Sequence, residues 1–271
     1  MFPVEAEVFH RLSYLNGIES LTTKTSIIKF LQEFARQQIL SCAAGSWFTN
    51  KGISAIGTVM MPKIANLQEK GETERISRYI DKSMDLIICM VSAMAFGVAA
   101  VADRFAPLFY GEEFRYSGTL MAPLGFTLIM IGFANVIRTQ VVLPQKRDHI
   151  FVKSVCCGAA VNLIANACLI PSMKSMGAVV GTLLAEMTVP VVQFIILRKE
   201  LPYRKFLGYV GVYAVIGGIM LLSVRAVGSM LQAETWMNLG IQTVTGIAVY
   251  CALCLAWWKV SGKGIRFFHN S

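Results

Sequence analysis

The chain has 271 residues, of which 55% are hydrophobic and only 15% charged, with a net charge of +9 and a mean hydropathy of +0.57. Soluble domains carry about a quarter of their residues as charges, so this composition excludes an ordinary soluble fold. The basic excess is spread over several linkers and forms no patch or stripe of the kind that binds nucleic acid, so no nucleic-acid partner is expected.

Residues 1–38 form an atypical polar segment, with Glu5, Glu7, Glu19 and Glu33 set against Arg11, Lys24, Lys29 and Arg36. No apolar run follows a basic start there, so no signal peptide is expected. Segment 39–62 is a weak candidate span, because Asn50 and Lys51 stand at its centre. Then come six long apolar runs, 86–102, 116–137, 154–173, 175–197, 206–224 and 235–258, and the only charged residue in all of them is Glu186. A helix needs about 20 apolar residues to cross a hydrocarbon core roughly 30 Å thick. Barrel strands would alternate apolar and polar residues, whereas these runs are apolar on every side. The expected fold is therefore all-α, a polytopic transmembrane helical bundle over 39–262 with six clear spans and a weaker seventh, ending in a tail at 263–271.

The linkers orient the bundle. Residues 63–82, 146–153 and 198–205 and the tail hold fifteen Lys and Arg, against four (Arg104, Arg115, Lys174 and Arg225) in the alternate linkers. The positive-inside rule places the rich set, with the C-terminus, in the cytoplasm. Ile76, Ile80, Met84 and Ile87 recur at helical spacing beside Arg75, Arg78 and Lys82, which predicts an amphipathic helix at the inner surface. Trp236, Trp257 and Trp258 delimit the last span. Pro62, Pro144 and Pro171 stand where helices should stop, whereas Pro123 and Pro190 lie inside apolar runs and predict kinks or broken backbone bonds.

Polar groups at membrane depth are the candidate functional residues, because an ionisable side chain there costs about 2.5–3.5 kcal/mol on insertion scales. Glu186 stands midway along 175–197, and Gln193 follows seven residues later on the same predicted face. The pair reads either as a protonatable site on a transport path or as helix-packing polar groups. Arg138 and Lys51 are the cations within or near the spans, and Arg138 is close enough to Pro144 and Lys146 to snorkel to the interface. Asn162 and Asn166, four residues apart, and Asn135 suit interhelical hydrogen bonds. Gly177 and Gly181 form a small-xxx-small motif that predicts close helix packing. The seven cysteines and three histidines suggest no metal or disulfide site, and no GxxxxGK[ST] phosphate loop occurs, so no cofactor and no ATP hydrolysis are expected.

Five phrases carry a resemblance: GTVMMPKIANLQEKGETERI (57–76), LFYGEEFRYSGTLMAPLGF (108–126), QVVLPQKR (140–147), AAVNLIANACLIPSMKSMGAVVGTLLAE (159–186) and the basic-bounded helix after them. In this order the chain, from about residue 52 to about 228, resembles the C-terminal half of bacterial polysaccharide flippases of the Wzx type. These belong to the superfamily that also holds multidrug extruders and the lipid II flippase. The resemblance implies one lobe of a two-lobed exporter of the bacterial inner membrane, moving an undecaprenyl-pyrophosphate-linked oligosaccharide by alternating access for surface polysaccharide biosynthesis. Lys51 and Arg138 would then meet the pyrophosphate, since a guanidinium offers phosphate a bidentate match. Implied partners are the lipid-linked oligosaccharide, membrane lipids and either a separate N-terminal lobe or other polysaccharide-assembly proteins. A membrane polymerase or acyltransferase is the rival reading, but the external linkers offer only Asp103, Glu112, Glu113 and Glu234 for chemistry. A seven-helix retinal protein lacks its lysine in the last two spans, and a non-transporting remnant of a flippase is the remaining alternative.

Overall fold

The computed structural model describes residues 60–231 and 235–261. Among them there is no strand. A helical stretch at 60–69 leads through a turn at Gly71, whose φ of 70° favours glycine, into α1 (Thr73–Tyr110), a single 38-residue helix. The amphipathic segment expected at the membrane surface is the first part of this helix, continuous with the first span.

The second span is broken. It comprises a 3₁₀ turn (Glu112–Phe114), α2 (Arg115–Gly125), α3 (Thr127–Ile137) and a π-helical turn (Arg138–Val142). Pro123 lies in α2, and the Phe126 N–H bonds to the carbonyls of Pro123 and Leu124 where α2 gives way to α3. There follow α4 (Asp148–Met173), α5 (Ser175–Leu197), α6 (Tyr203–Met230) and α7 (Trp236–Val260). With α1 and the broken span, these make six helical units long and apolar enough to cross a membrane. The chain is a multi-pass membrane protein, as its apolar runs require.

One proline expectation needs correction: helical backbone runs past Pro62. Pro171 stands two residues before the end of α4 at Met173, and Pro190 lies inside α5, which continues to Leu197. Packed membrane helices tolerate the single bond that an interior proline removes. Candidate span 39–62 lies outside the described residues apart from its last three positions.

Helix α1 is the hub, packing on α2, α3, α6 and α7, while α5 joins the bundle through α3 and α4 packs chiefly on α5. The core is built from Met84, Ile87, Ile88 and Val91 of α1, Val136 and Ile137 of α3, and Phe206, Tyr209 and Tyr213 of α6. Contacts at the two ends show the antiparallel alternation. At the end holding the basic linkers, Lys205 pairs with Asp81 at 2.7 Å and Arg147 with Glu200 at 2.6 Å. At the other end Arg104 donates to the carbonyls of Gly228 and Leu231, and Phe109 meets Trp236 edge to face, with ring centroids 6.4 Å apart.

Candidate functional site

The α4–α5 hairpin turns on one residue, Lys174, whose φ of 51° and ψ of −129° place it in a backbone region that favours glycine. Beyond this turn the helices run in close contact. A methyl group on Gly177 would fall 2.5 Å from the Leu169 carbonyl oxygen, and one on Gly181 would collide with the Asn166 side chain. Gly158 of α4 sits against Ala185 of α5. The small-xxx-small motif thus acts as predicted, and its partner is α4.

Helix α3 closes on this hairpin to leave a cavity of about 620 Å³. Its polar lining is Asn135, Arg138, Asn162, Asn166 and Glu186, and its walls include Ile131, Ala134, Val155, Ala185 and Val189. From Phe151 to Asn166 the lining extends over sixteen residues of α4, about 22 Å at a rise of 1.5 Å per residue. The cavity is therefore a long slot running from the basic end into the depth of the bundle.

Each polar group enters from a different constraint. Arg138 opens the π turn that ends the second span, a local widening common at functional sites. Its guanidinium carbon lies 4.3 Å from the centroid of the Phe151 ring. Stacking of this kind uses the flat face and leaves the N–H groups at the edge for an anion. Deeper in the slot, the Asn166 side-chain N–H donates to Asn162 Oδ1 at 2.8 Å, so the predicted amide pair bonds within α4 and not across helices. That leaves the buried Asn166 Oδ1 without a donor. Glu186 is half-buried on α5, and among the described residues its carboxylate has no ion-pair partner. The slot thus holds a guanidinium near its mouth and a carboxylate with amides in its depth.

Two expected residues fall elsewhere. Gln193 does not line the cavity. It is completely buried, both of its side-chain polar atoms lack a partner, and its backbone carbonyl accepts from the Tyr203 hydroxyl at 3.3 Å. Lys51 lies outside the described residues.

The sequence reading missed a second polar system, between α1, α6 and α7. The Asp81 carboxylate accepts from Lys205 at 2.7 Å and from the Tyr209 hydroxyl at 2.9 Å. One turn further, Asp85 accepts from Tyr213 at 3.0 Å, and the same Tyr213 oxygen accepts from the Trp258 indole at 3.1 Å. The available signal was a matched spacing, four residues between the two aspartates and four between the two tyrosines.

A family profile described as lipid II flippase MurJ matches residues 52–250. The solved structure of a lipid II flippase MurJ in an inward closed conformation superimposes with a TM-score of 0.66 at 15% identity, covering 86% of this chain and 47% of that one. Among curated proteins, the uncharacterized membrane protein MJ1068 of Methanocaldococcus jannaschii is 24% identical over 62% of this chain and 33% of its own length. The "Probable low-salt glycan biosynthesis flippase Agl15" of Haloferax volcanii is 23% identical over 48% of this chain and 28% of its own. The chain thus spans a third or less of these curated relatives. MurJ and Agl15 are named as flippases, transporters and not enzymes.

Proposed function

Because this chain belongs to the lipid II flippase MurJ family, we propose that it serves as one lobe of a flippase for lipid-linked glycans. The observation that carries the proposal is the gathering of Asn135, Arg138, Asn162, Asn166 and Glu186 on one slot. Polar groups on lipid-facing surfaces would raise the cost of insertion, whereas groups gathered on a hydrated slot offset one another.

The substrate class that fits is a polyprenyl-pyrophosphate bearing an oligosaccharide, here an undecaprenyl-linked repeat unit for a surface polysaccharide. Its tail stays in lipid while Arg138 attracts the pyrophosphate at the basic end. Glu186, unpaired at depth, is the group whose protonation would couple to rocking of the bundle. A second lobe, in the same polypeptide or a partner, would supply the other wall of the path. The distribution of basic linkers supports an inner-membrane location with the basic end and the C-terminus in the cytoplasm.

Complementation of a strain whose surface glycan depends on this gene tests the proposal. Arg138→Glu should strongly reduce surface glycan while membrane levels of the protein stay normal, and Arg138→Lys should reduce it less. Unaltered glycan in Arg138→Glu at normal protein levels would remove the slot from the transport path.

A further inference from the structure

Helices α1 and α7 bring two thiols together at a place the slot does not use. Cys89 and Cys254, 165 residues apart in sequence, have their sulfurs 3.8 Å apart, and both residues are buried. The other described cysteines, Cys156, Cys157, Cys168 and Cys251, are exposed on the helix surfaces. The pair is held in register by Tyr250, one turn before Cys254, whose hydroxyl donates to the Cys89 carbonyl at 2.7 Å and lies 3.9 Å from the Cys89 sulfur. The Trp258 indole, one turn after Cys254, reaches Tyr213, which is bonded in turn to Asp85, one turn before Cys89. Three successive turns of α7 are thereby fixed against α1 and α6, and the two sulfurs face each other by construction.

The geometry points to Cys89 and Cys254 as an oxidation site that closes to a disulfide and clamps α7 onto α1. A hydroperoxide is the oxidant class that the setting admits. It is small and uncharged, and a cavity of about 460 Å³ lined by Ala93 and Gly97 of α1 reaches Tyr250, whose hydroxyl lies 3.9 Å from the Cys89 sulfur. One sulfur, as thiolate, attacks a peroxide oxygen. An S–O bond forms, the O–O bond breaks, and the departing hydroxide takes up a proton to become water. The second sulfur then attacks the sulfenic acid, the S–S bond forms, and the S–O oxygen leaves as water with the second thiol's proton. Two thiols and hydrogen peroxide thus yield a disulfide and two waters, and the peroxide takes the two electrons the sulfurs lose. A disulfide needs sulfurs about 2.05 Å apart, so closure requires the pair to approach by less than 2 Å. A shift of that size is within the reach of cysteine rotamers and small helix adjustments.

The test uses the full chain in native membranes, with a protease site placed in the linker between α5 and α6. Hydrogen peroxide should leave the two cleaved fragments joined on a non-reducing gel, and dithiothreitol should separate them. Cys89→Ser and Cys254→Ser should each abolish the joining, and Cys251→Ser should leave it intact. Mass spectrometry of the unsubstituted, peroxide-treated chain should identify a linked peptide containing Cys89 and Cys254, which guards against misfolding of the variants. Fragments that separate without reductant, or a linkage of Cys89 to Cys251, would overturn the assignment.

Discussion

Replacing Gly177 by alanine should destabilise the protein, and replacing Gly211 should not, although both are glycines within membrane helices. At Gly177 the new methyl would lie 2.5 Å from the Leu169 oxygen, 2.6 Å from the Leu169 carbonyl carbon and 2.9 Å from the Ile170 nitrogen, all of them backbone atoms. No rotamer change relieves such a contact. The hairpin has to open by several tenths of an ångström, and overpacking of this kind costs about 1–3 kcal/mol. Alanine returns up to about 1 kcal/mol through its better helix propensity, which leaves a net loss of up to about 2 kcal/mol. At Gly211 nothing lies within 4 Å of the added methyl, so only the propensity gain of about 1 kcal/mol remains. The variants should therefore differ by about 1–3 kcal/mol, with Gly177→Ala unfolding earlier than the parent and Gly211→Ala no earlier. Unfolding by SDS in mixed micelles, followed by circular dichroism, resolves a difference of this size. Equal midpoints for Gly177→Ala and Gly211→Ala would show that α4 and α5 are not in backbone contact.

Lys174→Gly should raise stability by about 1 kcal/mol in the same assay, because it relieves a strained backbone region at the hairpin turn. A double-mutant cycle with Asp85→Asn and Tyr213→Phe should give a coupling of about 1–2 kcal/mol, as expected for a buried hydrogen bond to a carboxylate. Additive losses would mean that the two groups do not interact. Glu186→Gln should preserve folding, since the amide nearly matches the carboxylate in size, while removing the pH dependence of lipid-linked glycan translocation in reconstituted vesicles. An unchanged pH profile would assign Glu186 to packing.

The spans were legible because the bilayer sets a length that each apolar run either meets or fails. The slot was legible only as separate residues. Asn135, Arg138, Asn162, Asn166 and Glu186 each looked costly in lipid, but their convergence depends on which helix faces meet, and no local spacing encodes that. The glycines at 177 and 181 announced a close neighbour without saying which helix it was. Gln193 shows the limit of face arguments. It lies seven residues from Glu186 and so nearly on the same face, yet two helical turns of about 5.4 Å carry it past Val189 at the slot's margin to a buried position where Tyr203 bonds to its backbone carbonyl. Asp81 and Asp85 were passed over because they fall at the edge of an apolar run, where an aspartate looks like solvent-facing punctuation. Their partners stand 128 residues away.

The one-residue turn at Lys174 also bears on how the protein enters the bilayer. Two helices of 26 and 23 residues joined by a single residue leave too little chain for one to be threaded and anchored before the other follows. The hairpin has to be delivered as a unit, with one lysine as the only formal charge at its leading tip. Glu186 travels inside that unit, where the apolar area of two helices outweighs the cost of one carboxylate. Lengthening the turn with polar residues would uncouple the helices and expose the nascent α4 to lipid before α5 could cover it.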